Sequence, residues 1–183
     1  MTSLVAKGNF LVAAPALADP NFARAVVLIC DHSEEGAMGL IVNRPLPAQL
    51  SDILSDEFTL PQGMPPAHQG GPVQGEHLLF LHSLAQDGLD AHPVCEGVFL
   101  GGDPEILKRV LASAKAPPLL RCYLGYAGWG AGQLEAEIAE GAWVVKPARA
   151  RDVFTAEAAT LRQRLLGIQG SDPYAPPKGP DLN

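Results

Sequence analysis

An α+β fold in a single domain is predicted for this chain by three features of its sequence. Ala25–Cys30 (AVVLIC) is a continuous apolar run with β-branched residues, the pattern of a strand covered on both faces. A short polar turn at Ser33–Gly36 leads into Ala37–Asn43 (AMGLIVN), so the two strands are expected to form an antiparallel hairpin. Asp103-Pro104-Glu105 is a helix start, with Asp as N-cap, Pro at the first helical position and Glu in the first turn. Strands come first and helices mix with strands later, which favours α+β over a strict βαβ alternation.

The remaining elements follow in order. Phe10–Ala14 is a short strand, opened by Gly8-Asn9 and closed by Pro15. Asp19-Pro20-Asn21 is turn chemistry: Pro fixes φ, while Asp and Asn satisfy local backbone groups. Gly36 is expected to supply a positive φ at the hairpin turn, and Gly39 to mark a bulge or a close backbone approach. Beyond Pro45, the residues Leu50, Ile53 and Leu54 fall at helical spacing and predict a short amphipathic helix. Pro61–Pro66 reads as a mobile loop, Leu78–His82 as a buried strand, Ser83–His92 as a polar segment and Val98–Leu100 as a strand. The helix from Asp103 carries Ile106, Leu107, Val110 and Leu111 on one stripe and stops at Pro117-Pro118.

Leu119–Tyr126 is the next strand, followed by a loop crowded with Gly125, Gly128, Gly130 and Gly132. Gln133–Glu140 is a helix with Leu134 and Ile138 inward and Gly141 as its C′ residue. Trp143–Val145 is the last strand, and Val153–Leu166 the last helix, with Phe154, Leu161 and Leu165 on one face. The domain is set at residues 1–169, and the Pro/Gly-rich tail 170–183 is expected to be disordered.

Composition narrows the function classes. The chain has 183 residues, 47% hydrophobic and 18% charged, enough for one well-buried core. A formal charge of −7 opposes a generic polyanion binder, because nucleic-acid affinity rests on Lys and Arg meeting phosphates. Lys108, Arg109, Lys115 and Arg121 lie close in sequence, but scattered solvated charges are the favoured account of them. No basic helix-turn-helix pattern is present. Cys30, Cys95 and Cys122 are odd in number and form no CxxC pair, so no disulfide framework is indicated. No run approaches the ~18 apolar residues that span a bilayer. The Ala-rich start superficially suggests a signal peptide, but Gly8-Asn9 and Pro15 interrupt it, and the expectation is a cytoplasmic protein with no membrane association.

Two stretches attract attention as sites. Gly125–Gly132 lies between a strand and a helix, where backbone N–H groups can bind an anion, yet it lacks the Gly-Lys-Ser/Thr close of a phosphate loop. Either the glycines let the chain turn tightly, or Tyr126 and Trp129 edge a cleft at Gly130 to which Gln133 and Glu135 present polar groups. Asn43-Arg44-Pro45 ends a strand, and Arg44 is a candidate for a carboxylate or phosphate, or for an internal salt bridge to Glu135. The histidines show no HxH or HExxH spacing, and His77 and His82 should face opposite ways on a strand, which argues against a metal site. Asp31-His32-Ser33 spells a triad in text alone, and Cys30 and Cys122 sit among apolar neighbours that disfavour a nucleophile.

Taken together, Gly8–Pro15, Asp19–Cys30, His32 with Glu35–Gly39, Ile41–Leu46, Gly70–Val73, Leu81-His82, Gly101–Asp103 and Gly125–Glu135 resemble the YqgE/AlgH family of bacterial proteins over residues 8–167. The resemblance implies a bifurcated, mainly antiparallel sheet curled into a pseudo-barrel with flanking helices. It implies no established catalytic residue and no cofactor. The family name carries an association with transcriptional control of alginate synthesis. The chain departs from the family at its C-terminus, where Leu166-Gly167-Ile168 run into a Pro-rich tail instead of a terminal Gly-His-Ala. The resulting expectation is a non-enzymatic binding or regulatory protein with a protein or small-molecule partner at Asn43, Arg44, Tyr126, Trp129, Gly130, Gln133 and Glu135. An enzyme or binder for a phosphate-containing small molecule at the glycine loop is the alternative, and direct nucleic-acid binding is disfavoured.

Overall fold

The structure is a computed structural model that describes residues 5–56, 58–60, 64–84, 92–112, 119–155 and 157–167. The expected tail 170–183, the helix stop at Pro117-Pro118, the first half of the Pro61–Pro66 loop and most of Ser83–His92 lie outside these residues.

The strands are β1 (Asn9–Ala13), β2 (Val26–Ser33), β3 (Gly36–Ile41), β4 (His68–Gln69), β5 (Val73–His82), β6 (His92–Cys95), β7 (Val98–Gly101), β8 (Leu120–Gly130) and β9 (Trp143–Pro147). The helices are α1 (Leu50–Ile53), α2 (Pro104–Ala112), α3 (Gln133–Ala139), α4 (Ala150–Val153) and α5 (Leu161–Leu166). The strands form one sheet in the order β6-β7-β5-β8-β3-β2-β1-β9, all antiparallel except β4, which lies parallel to β8.

The α+β architecture and the bifurcated sheet follow the expectation. The split occurs at β8, whose N-terminal half pairs with β5 while Ala127–Gly130 pair with β3. The segment at β4 is wedged where the arms part: Gly70 N–H donates to the Leu124 carbonyl at 2.8 Å, and Ile41 N–H donates to the Gly70 carbonyl at 2.8 Å. The arms then curl toward each other, and His92 Nε2 on β6 comes within 3.3 Å of the Cys30 carbonyl on β2.

Period-two alternation sorts the side chains of both arms. Phe10, Val12, Val26, Leu28, Cys30, Leu40, Leu81, Val98 and Tyr123 point into the curl, where Val153, Phe154 and Leu161 plug its open side. Leu11, Ala13, Val27, Ile29, Ile41 and Trp129 face the other way, under Leu134 of α3. Phe80, Leu120 and Cys122 form a third cluster under Leu50 of α1 and Leu107 and Val110 of α2. The run Val26–Cys30 is therefore fully buried on both faces, as its composition predicts.

Local signals read from sequence hold at several points. Asp103 Oδ1 accepts the Glu105 N–H at 2.8 Å and starts α2. Gly36 has φ 144°, and a Cβ there would strike the Trp129 carbonyl oxygen. A Cβ on Gly39 would lie 2.7 Å from Val27 Cγ1, which is the close approach expected, while the bulge itself falls on the facing strand between Ile29 and Asp31.

Three expectations are corrected. Residues Gly125–Gly130 are not a loop but the C-terminal half of β8, and only Ala131-Gly132 turn before α3. The helix expected over Val153–Leu166 is divided into α4, a 3-10 turn at Ala158–Thr160 and α5, with Phe154 and Thr155 between, where their carbonyls accept Arg121 Nη2–H at 2.6 and 3.5 Å. Strands β4 and β6 were not expected: two residues are too few to show a period, and β6 contains Pro93, which an edge strand tolerates.

Candidate functional site

The two signature stretches meet at the hairpin end of the sheet, but through a different pair of residues from the one expected. Glu34-Glu35 turn the chain from β2 into β3, which places Gly36 opposite Gly130 and Ala37 opposite Trp129. His32, opposite Ala37, faces α3, and its Nε2 donates to Glu135 Oε1 at 2.7 Å. That hydrogen bond is the main reason the Glu135 carboxyl is held below its usual range. Gly130 N–H donates to Gln133 Oε1 at 3.0 Å, so Gln133 closes the turn that precedes its own helix.

Arg44 does not reach Glu135. Its guanidinium donates to the carbonyls of Asn21 (2.6 Å) and Ala23 (2.8 Å), and burial lowers its pKa while Asp19 opposes that shift. Asn43 grips the same turn: its Nδ2–H donates to the Arg24 carbonyl at 2.9 Å, and its Oδ1 accepts the Val26 N–H at 2.8 Å. Asp19 caps the turn from within, accepting the Asn21 N–H at 2.9 Å. The turn, with Arg24 at φ 62°, delivers Phe22 onto a pair of indoles. Phe22 stacks on Trp129 at 5.9 Å and meets Trp143 edge-on at 5.7 Å. Asn43 and Arg44 thus connect to Trp129 through the Asp19–Arg24 turn, as supports for an aromatic cluster. Asn43→Ala is expected to lower the free energy of urea unfolding by about 2 kcal/mol with an unchanged m-value, because it orphans the N–H of fully buried Val26.

Glu137 of α3 lies beside these indoles. Burial raises its carboxyl pKa, the Trp129 and Trp143 N–H groups oppose that, and Asp19 and Glu140 add to it. Glu137 Oε2 and Trp143 Nε1 are both buried but do not meet in hydrogen-bond geometry, so the Trp143 N–H acts on the carboxyl by proximity alone.

Tyr126 and Trp129 do not edge one cleft. Tyr126 packs against the cluster inside the curl, and Trp129 belongs to the cluster beneath α3. What Trp129 does line is a shallow concavity of about 240 Å³ with Asp31, Ser33, Glu35, Gly36, Ala37 and Met38. Its charged lining is acidic, which opposes an anion, and the Gly130 N–H is already engaged by Gln133.

The text-only triad separates in space. Asp31 Oδ1 accepts the His32 N–H at 3.0 Å, while Ser33 Oγ accepts the Glu35 N–H at 3.1 Å in the turn. Burial pushes the Cys30 thiol up, and the Cys122 thiol up to about 12, which keeps both as unreactive core groups at neutral pH. His68, with Nδ1 against the Pro66 carbonyl at 3.1 Å, and His82, between the rings of Phe80 and Phe99, are buried singly.

Sequence reading missed two features here. His32 and Glu135 are 103 residues apart and carry no local signal of pairing. Of the basic residues weighed and set aside as scattered charges, Lys108 lies 3.3 Å from Glu105 and Arg121 donates to the Phe154 carbonyl at 2.6 Å. Cationic side chains gather elsewhere, at Lys146, Arg149, Arg151 and Arg164 around a cavity, and the run KPARAR (146–151) was the signal that could have found them.

Comparison with known proteins places this geometry in a family. The AlgH-like family model (DUF179) matches residues 10–174. A UPF0301 protein of Chlorobaculum parvum is 36% identical over 176 residues, spanning 96% of this chain and 92% of the relative. A UPF0301 protein of Bacteroides thetaiotaomicron is 42% identical over 169 residues, spanning 92% and 85%. The solution structure of the AlgH protein from Pseudomonas aeruginosa superposes with a TM-score of 0.69 at 33% identity, covering 94% of this chain and 98% of that one. A crystal structure of a Corynebacterium diphtheriae protein gives 0.72 at 25% identity, covering 94% and 92%. On sequence and on fold alike, the chain belongs to the AlgH-like family.

Proposed function

We propose that the protein is a non-enzymatic binding protein with a regulatory role, acting on a protein partner at the hairpin end of the sheet. The observation that carries this reading is the His32–Glu135 bond of 2.7 Å, which fastens the β2–β3 hairpin to α3. With the hairpin fixed, Asp31, Glu34 and Glu35 stand exposed on a rigid rim around the Trp129 concavity. A preorganised acidic rim suits a basic segment of a partner, since little ordering entropy is lost on docking. The other polar side chains of the signature, Asn43, Arg44 and Gln133, are engaged within the fold, which supports binding over turnover as the use of this end.

The net charge of −7 favours regulation through protein contacts over direct contact with DNA. The test pairs affinity capture by the wild-type chain with capture by a Glu34→Lys/Glu35→Lys variant. A specific partner held by the first and released by the second, at equal melting temperature, is the expected result. Salt-sensitive DNA binding by the wild-type chain, undiminished in the variant, would instead replace the protein-contact reading.

A further inference from the structure

We propose that the cavity between β9, α4 and α5 binds a small phosphorylated molecule. The cavity measures about 590 Å³ and is lined by Lys146, Arg149, Arg151, Asp152, Arg164 and Leu165, with Pro147 at its edge. That volume lies within the roughly 300–1,000 Å³ usual for small-molecule sites. Four cationic side chains face a single carboxylate here, on a chain whose formal charge is −7.

The carboxylate is already committed. Asp152 Oδ1 lies 3.8 Å from Arg164 Nη1, and Arg164 Nη2–H donates to Thr155 Oγ1 at 3.2 Å, which fixes that guanidinium at the cavity wall. Among the described residues, the side chains of Lys146, Arg149 and Arg151 make no hydrogen bond or ion pair. Their cavity therefore carries uncompensated positive charge.

A single edge-strand lysine is explained by protection of β9 against pairing with another chain. Protection of that edge does not account for three arginines from α4, α5 and the turn before α4 lining the same space. Guanidinium forks match the oxygens of phosphate two at a time, and a lysine adds a point charge, so the ligand chemistry is a phosphate ester or polyphosphate. Leu165 and Pro147 supply an apolar wall for the rest of the molecule. The site is separate from the hairpin end, and neither reading depends on the other.

The experiment is isothermal titration of the full-length chain with pyrophosphate and with ATP at about 50 mM salt, where screening is weak. Saturable one-to-one binding is expected, weakened at least about tenfold by Arg149→Ala/Arg151→Ala, both exposed positions whose replacement leaves the core untouched. Lys108→Ala/Arg109→Ala on α2 removes the same charge elsewhere and should leave the affinity within about twofold of wild type. Absence of binding to both probes overturns the proposal. Equal weakening in the two double variants overturns it as well, because the attraction would then be diffuse charge. A short DNA duplex that displaces ATP and depends on Arg149 and Arg151 would make the cavity part of a nucleic-acid face instead.

Discussion

Replacing Gly71 with alanine is expected to leave the chain unfolded or insoluble, a loss above about 4 kcal/mol. Gly71 lies at the wedge where the sheet divides, and a Cβ there would sit inside the backbone of Tyr126 and Ala127. The neighbouring Gly70 presses on the Gly125 carbonyl in the same way, and Gly125 presses on the Gly71 carbonyl. These contacts are backbone against backbone, so no rotamer change relieves them. The wedge would have to leave its groove, breaking the Gly70 hydrogen bonds to Leu124 and Ile41 on both sides. Gly75 is the control: a Cβ there meets nothing within 4 Å, and Gly75→Ala should change stability by no more than about 0.5 kcal/mol. Soluble yield and near-UV circular dichroism of the two variants decide the matter. A folded Gly71→Ala protein with wild-type stability would mean that the two arms do not meet as described.

Acidification from neutral pH toward 4 is the second large effect. His68 is 5% exposed, its ring packs 5.6 Å from Tyr123, and burial, reinforced by the Arg121 cation, brings its pKa down to about 4, against the pull of the Pro66 carbonyl. Between pH 6.5 and about 4 the unfolded chain takes up a proton at this position that the folded chain refuses. Stability is therefore full above the unfolded pKa and falls with pH across that window, by up to about 3 kcal/mol at ~1.4 kcal/mol per unit. Burial moves His82 in the same direction. Glu135, whose pKa is lowered, also loses its contribution as pH falls, whereas the raised Glu137 carboxyl works the other way. Urea unfolding of wild type and His68→Gln at pH 7 and pH 4.5 checks the assignment: the variant should show the shallower dependence. Equal slopes would remove His68 as its source.

The sequence announced the elements whose signals are local. The double-sided burial of Val26–Cys30 is written in its unbroken apolar run, and the start of α2 in Asp103-Pro104-Glu105. Gly125–Gly130 misled for a physical reason. Glycine is a poor strand former in isolation, and at Gly125 the missing side chain serves the close approach of the Gly70-Gly71 wedge, a tertiary demand invisible along the chain. The candidate site divided in the same way. Asn43 and Arg44 stand out in sequence, yet their partners are the carbonyls and N–H groups of a turn some twenty residues earlier, and backbone partners leave no compositional trace. Placing Tyr126 and Trp129 together failed because an interval of three residues puts side chains on opposite faces of a strand.

The position of β8 also bears on the order of events when the chain is made. One arm of the sheet finds its neighbour β3 there, the other finds β5 there, and β1 waits for β9. A nascent chain that has not yet exposed Leu120–Gly130 holds two unfinished arms with no strand in common, and their bare edges are open to wrong pairings. Synthesis must pass Trp143–Pro147 before the first strand is paired on both sides. Long loops must close before any of these pairings reward the chain, so folding is set to be slow, on the millisecond-to-second scale of non-local β topologies, and to begin late in translation.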